Sequence, residues 1–105
     1  MEYRKFERLK VNRCHFLGKV SQPPDLQHEN GTSVVRFTLE IEEYRKDKNG
    51  EKKRSVTYLD FEAWDSAAVA IEKYSFEGCL MAVECIARRF HEEVWFRVTN
   101  FKILH

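Results

Sequence analysis

The chain has few of the features that mark membrane spans, metal sites or catalytic centres. Its 105 residues hold four glycines and two prolines, the latter side by side as Pro23-Pro24. There is no low-complexity tract and no internal repeat, and the length suits one domain. No run of about 18 apolar residues occurs, so no membrane helix is expected. The opening "MEYRKFERLK" is charged rather than apolar, which excludes a secretory signal and reads as a mobile or partner-dependent arm over residues 1–10. Cys14, Cys79 and Cys85 are odd in number and form no CxxC pair, as expected of buried free thiols in a reducing cytoplasm. His15, His28, His91 and His105 lack ligand spacing, so neither a metal nor a cofactor is expected. No GxxxxGK[ST], HExxH or nucleophile–base set is present, which points to a binding protein rather than an enzyme. The net charge is only +1, so any anion site must come from uneven distribution of charge.

What is present is alternation. "VNRCHFLGKV" (11–20) reads as a first strand with a bulge or bend at Gly18, and "SQPPDLQHENGT" as a loop. "SVVRFTLEIEEY" turns Val35, Phe37, Leu39 and Ile41 one way, and Val34, Arg36, Thr38, Glu40, Glu42 and Tyr44 the other. "SVTYLDFEAW" repeats the pattern, with Leu59, Phe61 and Ala63 inward and Tyr58, Asp60, Glu62 and Trp64 outward. "DSAAVAIEKYSFEG" changes period to a helix, capped by Asp65 or Ser66 and ended by Gly78. Two further strands follow, "CLMAVECIARRF" and "VWFRVTNFKIL", joined by "HEE". An all-β chain of five strands with one helix between the third and fourth predicts a five-stranded OB-fold barrel over residues 11–105, with the helix across its open end.

Between the second and third strands, "EYRKDKNGEKKRSVTY" closes a turn signalled by Asn49-Gly50 with six cations: Arg45, Lys46, Lys48, Lys52, Lys53 and Arg54. Asp47 and Glu51 offset part of that charge. A glycine tip with few apolar anchors need not be ordered on its own. Tyr44 and Tyr58 stand at the root, on the faces turned away from the core. Trp64, the pair Arg88 and Phe90, and the pair Trp95 and Arg97 fall on outer strand faces as well. Rings interleaved with cations suit single-stranded nucleic acid, whose phosphates take cations and whose bases stack on rings regardless of sequence.

The ordered set of Asn12, Gly18, Pro24-Asp25, Asn30-Gly31, Phe37-Thr38-Leu39, Tyr44, Asp47-Lys48 and Gly50-Glu51, with "AIEKYSFEGCLMAVE" further on, resembles the bacterial single-stranded DNA-binding protein family. The resemblance covers roughly residues 11 to 104. It implies an OB fold, usually a homotetramer, that binds single-stranded DNA in replication, recombination or repair, in the cytoplasm on the nucleoid. The family's stacking aromatics fall on Tyr44, Tyr58 and Trp64, with Phe90 nearest on the fourth strand; Arg88 matches a basic position. Tyr44 stands one residue closer to "FTL" than the family aromatic usually does. Asp60, Ser66 and Glu77 stand where the family often has a basic residue, and Asp60 and Glu62 put negative charge between Tyr58 and Trp64, which should weaken phosphate binding there. The family's acidic, Phe-terminated tail, which recruits partner enzymes, has no counterpart in this sequence, whose last residue is His105.

Two other readings compete. One is a dimeric adaptor for replication restart, similar to primosomal replication protein N. The other is an OB module that covers its rings with a protein partner. Cys14, Phe16 and the neighbouring Val11 give the first strand apolar residues on both faces, joined by Leu59, and one barrel face needs only one of them, which predicts a homo-oligomer, a tetramer before a dimer.

Overall fold

The alternating segments become long strands because one side of each is apolar enough to be buried and the other polar enough to face water. The structure, a computed structural model, describes residues 10–104; apart from Lys10, the expected arm lies outside the described residues, as does His105. In chain order the elements are β1 (Cys14–Val20), β2 (Asp25–Glu29), β3 (Thr32–Lys46), β4 (Lys52–Trp64), α1 (Asp65–Tyr74), β5 (Leu80–Phe90) and β6 (Glu93–Ile103). The sheet runs β1-β5-β6-β4-β3-β2, and a further β1–β3 pairing closes β1, β3, β4, β6 and β5 into a five-stranded barrel. This is the expected OB fold. The helix follows the fourth strand rather than the third, because one strand more is present.

That extra strand lies in the segment read as loop. Pro23-Pro24 mask it, but Asn30 and Gly31 both take positive φ (52° and 78°). Two successive left-handed residues make a tight hairpin that matches strand twist. It folds β2 onto β3 from Glu29↔Thr32 to Asp25↔Arg36. Of the bulge or bend expected at Gly18, the bulge is absent. β1 runs past it without a bulge, in register with β5. A Cβ at Gly18 would stand 2.8 Å from the backbone oxygen of Glu40, so the glycine is what lets β1 close on β3. The first strand begins later than expected, at Cys14. Ahead of it, the Asn12 side chain substitutes for a strand residue: Nδ2 donates to Ala87 O and Oδ1 accepts from Ala87 N, each at 2.8 Å.

The core is built around Phe61, which stacks on Phe37 at 5.4 Å and meets Phe16 edge-on at 5.8 Å and Phe96 at 5.6 Å. Aromatic pairs of this kind add about 0.5–1.5 kcal/mol beyond burial. Ala68 and Ile71 of α1 enter the same core. The helix takes no side-chain cap from Asp65 or Ser66; it begins straight out of the extended Trp64 and ends on Ser75, whose N–H and hydroxyl both donate to Ile71 O. Gly78 lies three residues beyond that end, in a separate turn at φ 91°. Val34, expected outward, is fully buried beside Trp64, its partner on β4.

Cys79 and Cys85 are buried and Cys14 partly so. Desolvation pushes the Cys85 thiol up to about 11, which suppresses the reactive thiolate. A thiol-alkylating reagent at neutral pH is therefore expected to modify Cys14 first and to reach Cys85 only after denaturant is added. Peptide mass mapping of native and unfolded samples reads this directly, and rapid native labelling of Cys85 would contradict it.

Candidate nucleic-acid interface

Beyond the barrel, β3 and β4 continue as a two-stranded finger, paired without interruption from Leu39↔Leu59 to Lys46↔Lys52. Its tip is held by Asp47, whose Oδ1 accepts from the backbone N–H groups of Asn49 and Glu51, each at 2.9 Å. The Gly50 N–H donates to Asp47 O at 3.1 Å, and Gly50 takes φ 78°. The tip is thus closed by a side-chain turn, which gives it polar anchors where apolar ones are few.

The cross-strand pairs Glu40↔Tyr58 and Tyr44↔Arg54 put both tyrosines on one side of this hairpin, together with Lys52 and Arg54. Tyr44 and Tyr58 are 53% and 60% exposed, so neither ring serves the core. Lys52 Nζ lies 4.5 Å from the centroid of the Tyr44 ring. Both tyrosine hydroxyls of the hairpin are held by acids: Tyr44 donates to Glu42 and Tyr58 to Glu40, each at 3.1 Å. The Glu40 contact raises the Tyr58 phenol above its usual pKa and keeps it protonated. Glu42 also accepts from Arg54 Nη2 at 2.7 Å, and this bond, followed by the one from Tyr44, lowers the Glu42 pKa.

The same side of the barrel carries the second half of the site. Parallel pairing of Glu62 with Arg97 and antiparallel pairing of Arg88 with Trp95 bring β4, β5 and β6 to a common face. A groove of about 480 Å3 opens there, walled by Trp64, Trp95 and Phe90, with Arg88, Arg97 and Arg36 among its cations. Arg97 is fixed: its Nε and Nη2 lie 3.2 Å from Glu62 Oε1, and its guanidinium covers the Trp64 ring at 5.0 Å. Trp64 is only half-exposed, and its buried Nε1 finds no hydrogen-bond partner among the described residues. Trp95 is anchored through Nε1 to Glu93 at 3.2 Å.

The expected site residues therefore divide. Tyr44, Lys52, Arg54, Tyr58, Trp64, Arg88, Phe90 and Trp95 come together on one face. Arg45 and Lys53 pair on the reverse side of the finger, and Lys48 sits in the tip; Lys46 shares the face of Tyr44 at the far end. Lys53 stands 3.7 Å from Asp47 and 3.9 Å from Glu51. Glu40, Glu42 and Arg36 belong to the face but were not expected to shape it, and Glu62, expected only to weaken phosphate binding, also fixes Arg97. Their side of the strand was legible from alternation; their ring and guanidinium partners depended on cross-strand register.

A sequence profile described as "Single-strand binding protein family" matches residues 11–102, nearly the whole described chain. This chain belongs to the single-strand binding protein family. A single-stranded DNA-binding protein of Lactiplantibacillus plantarum is 25% identical over 75 residues, covering 70% of this chain and 36% of that relative. The chain thus spans about a third of the length of this curated relative. Among solved structures, a Plasmodium falciparum family member in complex with single-stranded DNA superposes with TM-score 0.82 at 21% identity, over 93% of this chain and 98% of that one. The PriB protein of Ralstonia solanacearum superposes with TM-score 0.75 at 11% identity, over 91% and 100% of the two chains. At such identities these likenesses establish the shared fold of the family.

Proposed function

We propose that this chain is a non-enzymatic binder of single-stranded DNA that protects exposed strands during replication, recombination or repair, in the cytoplasm on the nucleoid. The observation that carries this reading is the single face on which exposed Tyr44, Tyr58 and Phe90 and half-buried Trp64 and Trp95 alternate with Lys52, Arg54, Arg88 and Arg97. Bases stack on the rings, and phosphates run along the cations of the finger: Arg45, Lys46, Lys48, Lys52, Lys53 and Arg54. Stacking ignores sequence to a first approximation, because every base has a π-face. A titration of intrinsic tryptophan fluorescence with oligo-dT is expected to quench Trp64 or Trp95, while duplex of equal length quenches little. Equal affinity for duplex overturns the reading.

The proposed assembly is a homo-oligomer, a tetramer before a dimer. Of the residues that first suggested it, Val11 is exposed, but Cys14, Phe16 and Leu59 pack against the core. Support comes instead from exposed Leu17, Leu80 and Leu104 around the end of β1 and β5. Support comes also from β1 itself, which meets β3 only through Lys19 and Val20 and leaves its Cys14–Leu17 edge unpaired on that side among the described residues. An open strand edge invites a second copy. The full-length match to a PriB structure favours a dimeric restart adaptor as the second reading. Light scattering separates the two: a tetramer mass supports the first and a dimer the second, while a monomer refutes both assemblies.

A further inference from the structure

Tyr58 borders a cleft of about 530 Å3 that is separate from the tryptophan groove and is lined also by Lys19, Ser21, Gln22, Glu40 and Glu77. The cleft is an unusual place for a phosphate. Its polar groups include two carboxylates against one lysine. It is also an unusual place for a bare hydrophobic stack, because Glu40 is locked directly opposite Tyr58, with Oε1 taking the tyrosine hydroxyl at 3.1 Å. That bond engages one carboxylate oxygen and leaves the other as an acceptor beside the exposed ring. One residue pair further along the same face, Thr38 donates to Asp60 Oδ1 at 2.8 Å, so the acceptor character continues toward the barrel.

A base stacked on Tyr58 presents its edge to those acceptors. Cytosine offers the N4 amino group, a donor that a carboxylate accepts well; thymine offers O4 at the equivalent position, and two acceptors facing each other repel. We propose that Glu40, seconded by Glu77 across the cleft, is a specificity-determining residue that makes the Tyr58 subsite prefer an amino-bearing base, cytosine being the simplest, over thymine. The acids that weaken phosphate attraction on this face thus acquire a use: they read a base edge and keep the backbone out of the cleft. This inference rests on the proposed single-strand binding and narrows it, since the stacking path is otherwise tolerant of sequence.

The test compares labelled oligo-dC and oligo-dT of equal length at one fixed salt concentration, by fluorescence anisotropy, for the parent chain and for Glu40→Gln, Glu77→Gln and the double variant. In Glu40→Gln the amide oxygen still accepts from the Tyr58 hydroxyl, and the amide nitrogen now donates to thymine O4. A charge-assisted hydrogen bond traded for a neutral one amounts to about a 5- to 10-fold change. The dC-to-dT affinity ratio is therefore expected to fall by that factor in Glu40→Gln and further in the double variant. Exposed Glu77 gives a readout independent of any disturbance at half-buried Glu40. An unchanged ratio, with both affinities rising together, reduces the acids to plain repellents of phosphate and overturns the inference while leaving single-strand binding standing. Failure of the parent chain to bind either strand removes the wider reading and this one with it.

Discussion

Tyr58→Ala is expected to weaken binding to oligo-dT by about 5- to 150-fold, the equivalent of the roughly 1–3 kcal/mol that one stacked base contributes. The slope of log affinity against log salt should stay where it is, because a lost ring releases few counterions. Tyr58 suits this test because its side chain does not support the core: the ring is exposed, and among the described residues its hydroxyl bonds to Glu40 alone. Melting temperature should accordingly change little. Tyr58→Phe serves as the control. It keeps the π-face and removes only the hydroxyl, so its dT affinity should remain within a few-fold of the parent. Should Tyr58→Ala bind as the parent does, the stacking path does not pass over this tyrosine, and the groove at Trp64 and Trp95 must carry the bases alone.

What the sequence disclosed, and what it withheld, follows from the range of the forces involved. Period-two alternation is local, so Val35, Phe37, Leu39, Phe61 and Ala63 could be placed inside the barrel and Tyr58 and Trp64 outside it without knowledge of any partner. β2 was concealed because Pro23-Pro24 dominate the composition of its neighbourhood, while the hairpin depends on left-handed φ at Asn30, which a loop tolerates equally. Gly18 could be noticed as the site of a bulge or bend, which is a local event, whereas the 2.8 Å approach to Glu40 O is a contact between β1 and β3. The site divides in the same way. Rings and cations declare themselves singly. The acids that organise them do not, because Glu42 with Arg54 and Glu62 with Arg97 are partners 12 and 35 residues apart. Read one strand at a time, those acids look like plain diluents of positive charge.

The finger offers the second large effect, and its ion pairs decide which cations carry it. Among the described residues, Arg45, Lys46 and Lys48 make no ion pair, whereas Lys53 faces Asp47 and Glu51 and Arg54 is bound to Glu42 at 2.7 Å. A phosphate that meets an unpaired cation releases condensed counterions in full, with a slope of about −0.7 per phosphate on single strands. A phosphate that meets Arg54 must first displace a carboxylate. Replacing Arg45, Lys46 and Lys48 with alanine is therefore expected to flatten the salt slope by about two units, with the barrel intact, since all three side chains are exposed. Replacing Lys53 and Arg54 should flatten it by less. Glu42→Gln should act in the opposite direction, freeing Arg54, tightening binding and steepening the slope by about 0.7, and this gain should vanish when Arg54 is also replaced. Acid has the same sense as Glu42→Gln. The folded-state pKa of Glu42 is depressed by Arg54, so its pairing is present above the ordinary glutamate range and is lost as pH falls through the lowered value. Affinity for the polyanion should then rise over that acidic window more steeply in the parent chain than in Glu42→Gln, where only the other acids, such as Asp47 and Glu51 beside Lys53, still lose their charge. Salt titrations of oligo-dT binding at several pH values measure all of these, and a parent slope retained after loss of Arg45, Lys46 and Lys48 would leave those three cations solvated, with no part in phosphate binding.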